Sequence, residues 1–144
     1  MAGSPLAVTR RVLTDAAGTV DPQAVDEVLL QSYLFAGFPR TINAMAAWRE
    51  VAGVPAVAAD SPVQGADAAN WEARGEEACR MVYGPKYDAL RARVRHLHPE
   101  LDTWMVTHGY GKVLSRPAMS LVRRELCIVA ACAAAEQAPQ LRSH

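Results

Sequence analysis

The chain reads as all-α, a compact bundle of about six to eight helices. Three observations carry this. Apolar residues recur at helical spacing along most of the 144 residues. Alternating β-branched runs are scarce. Helix starts and stops punctuate the sequence at regular intervals. With 51% hydrophobic residues, the chain can bury a core without disulfides or metal.

The elements follow in order. A first helix is predicted over Leu6 to Ala17, stopped by Gly18. Asp21 suits an N-cap and Pro22 the first position of a second helix, which carries Val25, Val28, Leu29, Tyr33 and Leu34. Gly37-Phe38-Pro39 breaks it, and Pro39 opens a third helix bearing Ile42, Met45, Ala46 and Trp48. From Gly53 to Ala66 the stretch GVPAVAADSPVQGA has no face to bury and reads as a connecting loop, long for one domain. Helices resume at Asp67 to Val82, ending at Gly84-Pro85. Another covers Lys86 to His96, with Tyr87, Leu90, Val94 and Leu97 as its buried stripe. The stretch Pro99 to His108 is followed by a turn region bracketed by Gly109-Tyr110-Gly111 and Ser115-Arg116-Pro117. Ser120 caps the helix SLVRRELCIVAACAAAEQ, and Pro139 opens a last segment. The whole is expected to form one domain: a hairpin block over 1–52, the loop 53–66, and the remaining helices over 67–144.

Bulk charge narrows the partners. Fifteen basic residues balance fifteen acidic ones, so nothing favours nucleic acid or an anionic membrane. The opening MAGSPLAVTRRV has no apolar run behind its basic residues, and no secretory leader is expected. The longest apolar stretch, Leu126 to Ala135, is too short to span a bilayer. Three cysteines make no closed disulfide set, and a cytoplasmic location is the simple expectation. His96 and His98 point about 160° apart on a helix and have no third ligand at a recognisable spacing, so no metal and no cofactor are expected.

Two blocks carry a family resemblance: EVLLQSYLFAGFPRTINAMAAWRE (Glu27 to Glu50) and YGKVLSRPAMSLVRRELCIVAACAAAEQAPQLRSH (Tyr110 to His144). Together they cover less than half the chain and resemble carboxymuconolactone decarboxylase and its wider alkylhydroperoxidase-D-like family. The run YGxVLSRP followed by RREL is the specific part. In typical members the RREL helix precedes the LLQxYLFAGFP hairpin; here the order is reversed, as in a circular permutation. The alternative is that a following helix lies beyond His144.

The resemblance implies a small-molecule enzyme acting on a lactone carboxylic acid, assembled as a trimer or hexamer. Peroxidase relatives have a Glu, a Cys-x-x-Cys pair and a His. Glu125 and His144 fall at the Glu and His positions, and Gln137 and Gln140 replace the cysteines. A Glu–His pair suits proton transfer, because histidine titrates near neutrality and apolar surroundings favour a protonated carboxyl. The plainer alternatives are a surface ion pair for Glu125 and a frayed end for His144. His108 and Tyr110 are acid–base candidates beside the Gly109 turn, or simply packing residues. Arg116 and Arg124 suit a substrate carboxylate, or else tie the LSRP turn to a helix end. Tyr33, with Phe35 and Phe38, lines a cavity or belongs to the core.

A thiol-dependent peroxidase is the second reading, resting on Cys79, Cys127 and Cys132. Cys127 and Cys132 point about 140° apart on one helix, too splayed for a disulfide within it. The third reading is a helical oligomer without catalysis. Trp48, Trp71 and Trp104 fit either subunit contacts or core.

Overall fold

A computed structural model describes residues 5–53 and 70–144. Its described residues are helical with no strand, the fold class expected. The segment read as a long connection lies, apart from Gly53, outside the described residues, as do Asp67 to Ala69. The chain divides into two compact units, Met1–Ser61 and Pro62–His144.

The first unit contains α1 (Pro5–Ala16), α2 (Pro22–Ala36) and α3 (Phe38–Ala52). The Asp21 side chain accepts from the Gln23 amide, and Pro22 occupies the first turn of α2, as expected. A single residue, Gly37, separates α2 from α3. Its φ of 80° and ψ of 160° lie in a region open essentially to glycine, so the chain reverses there without a loop. Leu13, Val25, Leu29, Ala47 and Trp48 form the buried core of this unit. Arg10 pairs with Glu50 at 2.6 Å and Arg49 with Asp26 at 2.9 Å, tying α1 and α2 to α3. Trp48 is core, whereas Val28 and Ile42 are exposed.

The second unit contains α4 (Trp71–Tyr83), a 3₁₀ turn (Gly84–Lys86), α5 (Tyr87–Leu97), α6 (Pro99–Trp104), a π-helix (Met105–Leu114), α7 (Leu121–Ala134) and α8 (Ala138–Leu141). Here the sequence reading needs correction. Gly109-Tyr110-Gly111 is not a turn; it lies inside the π-helix, which continues directly from α6. The Ser115 amide donates to the Tyr110 carbonyl at 2.9 Å, the wide i→i−5 spacing of that helix. Its glycines serve approach rather than chain reversal. A Cβ at Gly111 would run into the Trp71 carbonyl, and one at Gly75 into the Val106 carbonyl, so α4 and the π-helix pack backbone to backbone. Arg74 and Ser115 both donate to the Gly111 carbonyl, at 2.8 and 2.6 Å.

The stripe predicted on α5 is also revised. Tyr87 is buried, Leu90 and Val94 are half-buried, and Leu97 is exposed. What fastens α5 to α6 is polar. The Asp102 carboxylate is buried and accepts from Arg91, through a short contact at Nε and 2.9 Å at Nη2, and from Arg95 at 3.0 and 2.7 Å. Arg91 continues to the Tyr87 hydroxyl at 2.7 Å. The Arg91 hydrogen bonds hold the Asp102 carboxyl below the usual carboxylate range, against the opposing effect of burial.

Candidate functional site

Ser120 sets the register of α7. Its hydroxyl accepts from the Arg123 amide at 3.4 Å, and the helix then presents Arg124 and Glu125 in different directions. Arg124 is wholly buried and donates to the Arg116 carbonyl at 3.1 Å. Glu125 instead lines a groove of about 280 Å³ with Met81, Val82, Leu121, Val122, Leu126, Val129 and His144.

His144 reaches that groove because the chain turns back after α7. Glu136 adopts a positive φ of 56°, and the Gln137 amide donates to the Cys132 carbonyl at 2.9 Å. The short helix α8, with Pro139 in its first turn, then carries the chain to Gln140, whose carbonyl accepts from the Ser143 and His144 amides. His144 Nδ1 lies 2.6 Å from Glu125 Oε2. The histidine side chain is 10% exposed and the glutamate side chain 16%, while the His144 residue as a whole is exposed.

The contact extends inward. His144 Nε2 lies 3.2 Å from the Tyr83 hydroxyl, and the Tyr110 hydroxyl donates to Tyr83 at 3.0 Å. Because Tyr83 accepts from Tyr110, its own proton is available to His144 Nε2. That leaves the Nδ1–H to donate to Glu125. This order uses every proton in the row and makes a directed chain from Tyr110 through Tyr83 and His144 to Glu125. Burial pushes the Tyr83 hydroxyl up to about 12 despite the bond from Tyr110, and pushes Tyr110 further, with the charges of Tyr83 and Glu125 adding to it. Both phenols therefore stay protonated and act as donors. The second Glu125 oxygen, Oε1, is buried and has no hydrogen-bond partner among the described residues.

Of the residues singled out from sequence, Glu125, His144 and Tyr110 come together. Tyr83, which completes the row, was missed; its local mark is only a tyrosine before Gly84-Pro85 at a helix end. His108 does not line the groove, and burial together with Lys112 lowers its pKa. Arg116 and Arg124 do not line it either, and Arg124 has the structural role of holding the LSRP turn. Tyr33 stacks on Phe38 at 4.9 Å in the first unit. Gln137 turns its amide to the Ala135 carbonyl.

Burial pushes Cys79 up to about 12 and raises Cys127 and Cys132, and all three are free. His98 Nδ1 accepts from the Glu100 amide as the cap of α6. No metal-holding cluster occurs among the described residues, and no helix among them is long and apolar enough to cross a membrane.

The described residues form an all-α fold with a carboxylate–imidazole–phenol row at the edge of an apolar groove. A curated relative, Peroxisomal protein 2 of Schizosaccharomyces pombe, is 31% identical over 121 residues. The match covers 82% of this chain and 55% of the relative, so the chain spans about half the relative's length. No family model and no solved structure matches.

Proposed function

We propose that this chain is an acid–base enzyme of the carboxymuconolactone decarboxylase-like kind, with Glu125 and His144 exchanging a proton with a small molecule in the groove. The directed row from Tyr110 to Glu125 carries this reading. Proton transfer needs a group that gains and loses a proton and neighbours that hold its orientation. Glu125 and His144 are the former, and Tyr83 and Tyr110 the latter. Apolar side chains line the groove beside this pair. The resemblance also supports self-association, and the exposed Met81, Val122 and Leu126 around the groove give it apolar surface. The relative's name describes a peroxisomal protein; co-localisation of the tagged protein with a peroxisomal marker would replace the cytoplasmic expectation.

The test follows two reactions by NMR in deuterated buffer: decarboxylation of 4-carboxymuconolactone, and exchange of the acidic C–H of uncharged small lactones. Turnover of either that is lost in Glu125→Gln is expected. Rates no higher than the blank for both would reject the reading.

A further inference from the structure

We infer that the stretch from Glu136 to His144 is a strap that swings about Glu136, held shut by the His144 side chain, and that its release uncovers Glu125 and the Tyr83 hydroxyl. This goes beyond the acid–base reading and does not depend on it. Every residue of the stretch is exposed except Leu141, which is half-buried. Its backbone bonds are local: the Leu141 amide donates to the Gln137 carbonyl at 2.9 Å, and the Arg142 amide to that of Ala138 at 3.2 Å. A helix as short as α8 does not hold itself together in water, so its order comes from what it is fastened to. Among the described residues, both side-chain hydrogen bonds from the stretch to α4 and α7 are made by His144, to Tyr83 and to Glu125. The imidazole also lies against the Tyr83 ring, with 5.5 Å between centroids. One side chain, 10% exposed, thus fastens an otherwise exposed segment.

The hinge is as clearly marked as the latch. Glu136 has a φ of 56°, in the left-handed region that residues other than glycine seldom adopt. It lies between the end of α7 at Ala134 and the start of α8 at Ala138, so a dihedral change at this one residue redirects everything beyond it. With the strap closed, Glu125 Oε2 is taken by His144 Nδ1, and the Tyr83 hydroxyl lies between Tyr110 and His144 Nε2. Opening frees both groups from the histidine. Little buried apolar surface and a local set of hydrogen bonds are the marks of a segment that opens without global unfolding.

The test follows amide hydrogen exchange of the full chain by NMR, comparing Leu141 and Arg142 on the strap with Ile128, buried in α7. In the unaltered chain the two strap amides are expected to exchange together, roughly a hundredfold faster than Ile128. His144→Ala should speed them by about tenfold more, the effect of two lost hydrogen bonds, and leave Ile128 within about twofold. Glu136→Pro keeps every latch side chain but forbids the positive φ, so it should abolish the protection of Leu141 and Arg142. In that variant a soluble paramagnetic agent should broaden the Tyr83 ring signals more than in the unaltered chain, as an uncovered phenol requires. Strap amides as slow as Ile128, rates unmoved by His144→Ala, or Ile128 accelerated as much as the strap would each overturn the inference. So would Tyr83 signals no broader in Glu136→Pro.

Discussion

Two carboxylates in the second unit, one buried and one half-buried, have opposite surroundings. Asp102 is 1% exposed, and both its oxygens are occupied by the guanidiniums of Arg91 and Arg95. Glu125 has one oxygen on a histidine and the other without a hydrogen-bond partner among the described residues. In the first, permanent cations hold the carboxylate ionised, and it fastens α5 to α6. The second sets the carboxylate against an imidazole, a partner without a permanent charge. Burial of a carboxylate is common to structure and chemistry. The kind of partner separates them.

Breaking Asp102 should have the largest effect on stability. Asp102→Asn removes the buried charge that Arg91, itself only 16% exposed, is paired with, and should cost about 3 kcal/mol in urea denaturation. The same group sets an acid limit. Its folded pKa is depressed, so its contribution is present above the unfolded carboxyl value of about 3.9 and is lost as pH falls through the lower folded value. Thermal melts taken downward from pH 5 should show this loss in the native chain and a flatter profile in Asp102→Asn.

Gly111→Ala comes next. Its methyl group must displace the Trp71 carbonyl, forcing α4 off the π-helix at a cost of about 1–3 kcal/mol and moving Tyr110 away from Tyr83. Catalysis and stability should fall together, which distinguishes it from Glu125→Gln. Tyr83→Phe should cost only about 0.5–1.5 kcal/mol, yet it cuts the row between Tyr110 and His144. A comparable loss of stability in Glu125→Gln and Asp102→Asn would break the contrast between the two carboxylates.

Much of this was legible from sequence. Asp21-Pro22 and Ser120 mark helix starts through their own chemistry, while Glu125 and His144 are singled out only by what the family resemblance implies. What escaped depends on neighbours remote in sequence. Arg91 and Arg95, four apart on an arginine-rich helix, look like a solvated face until Asp102 is folded beneath them. Gly109 and Gly111 look like helix breakers because the carbonyl that needs the space at Gly111 belongs to Trp71 on another helix. Tyr83 acquires its role only when Tyr110 and His144 close on it. Arg124, a candidate for a substrate carboxylate or for tying the LSRP turn, is buried on the Arg116 carbonyl.

The most direct measurement is the ¹⁵N spectrum of the His144 imidazole at a pH where the ring is neutral. The directed row predicts one dominant tautomer with the proton on Nδ1, shifting to a mixture in both Glu125→Gln and Tyr83→Phe. A freely exchanging mixture in the unaltered chain, unmoved by either substitution, would contradict it.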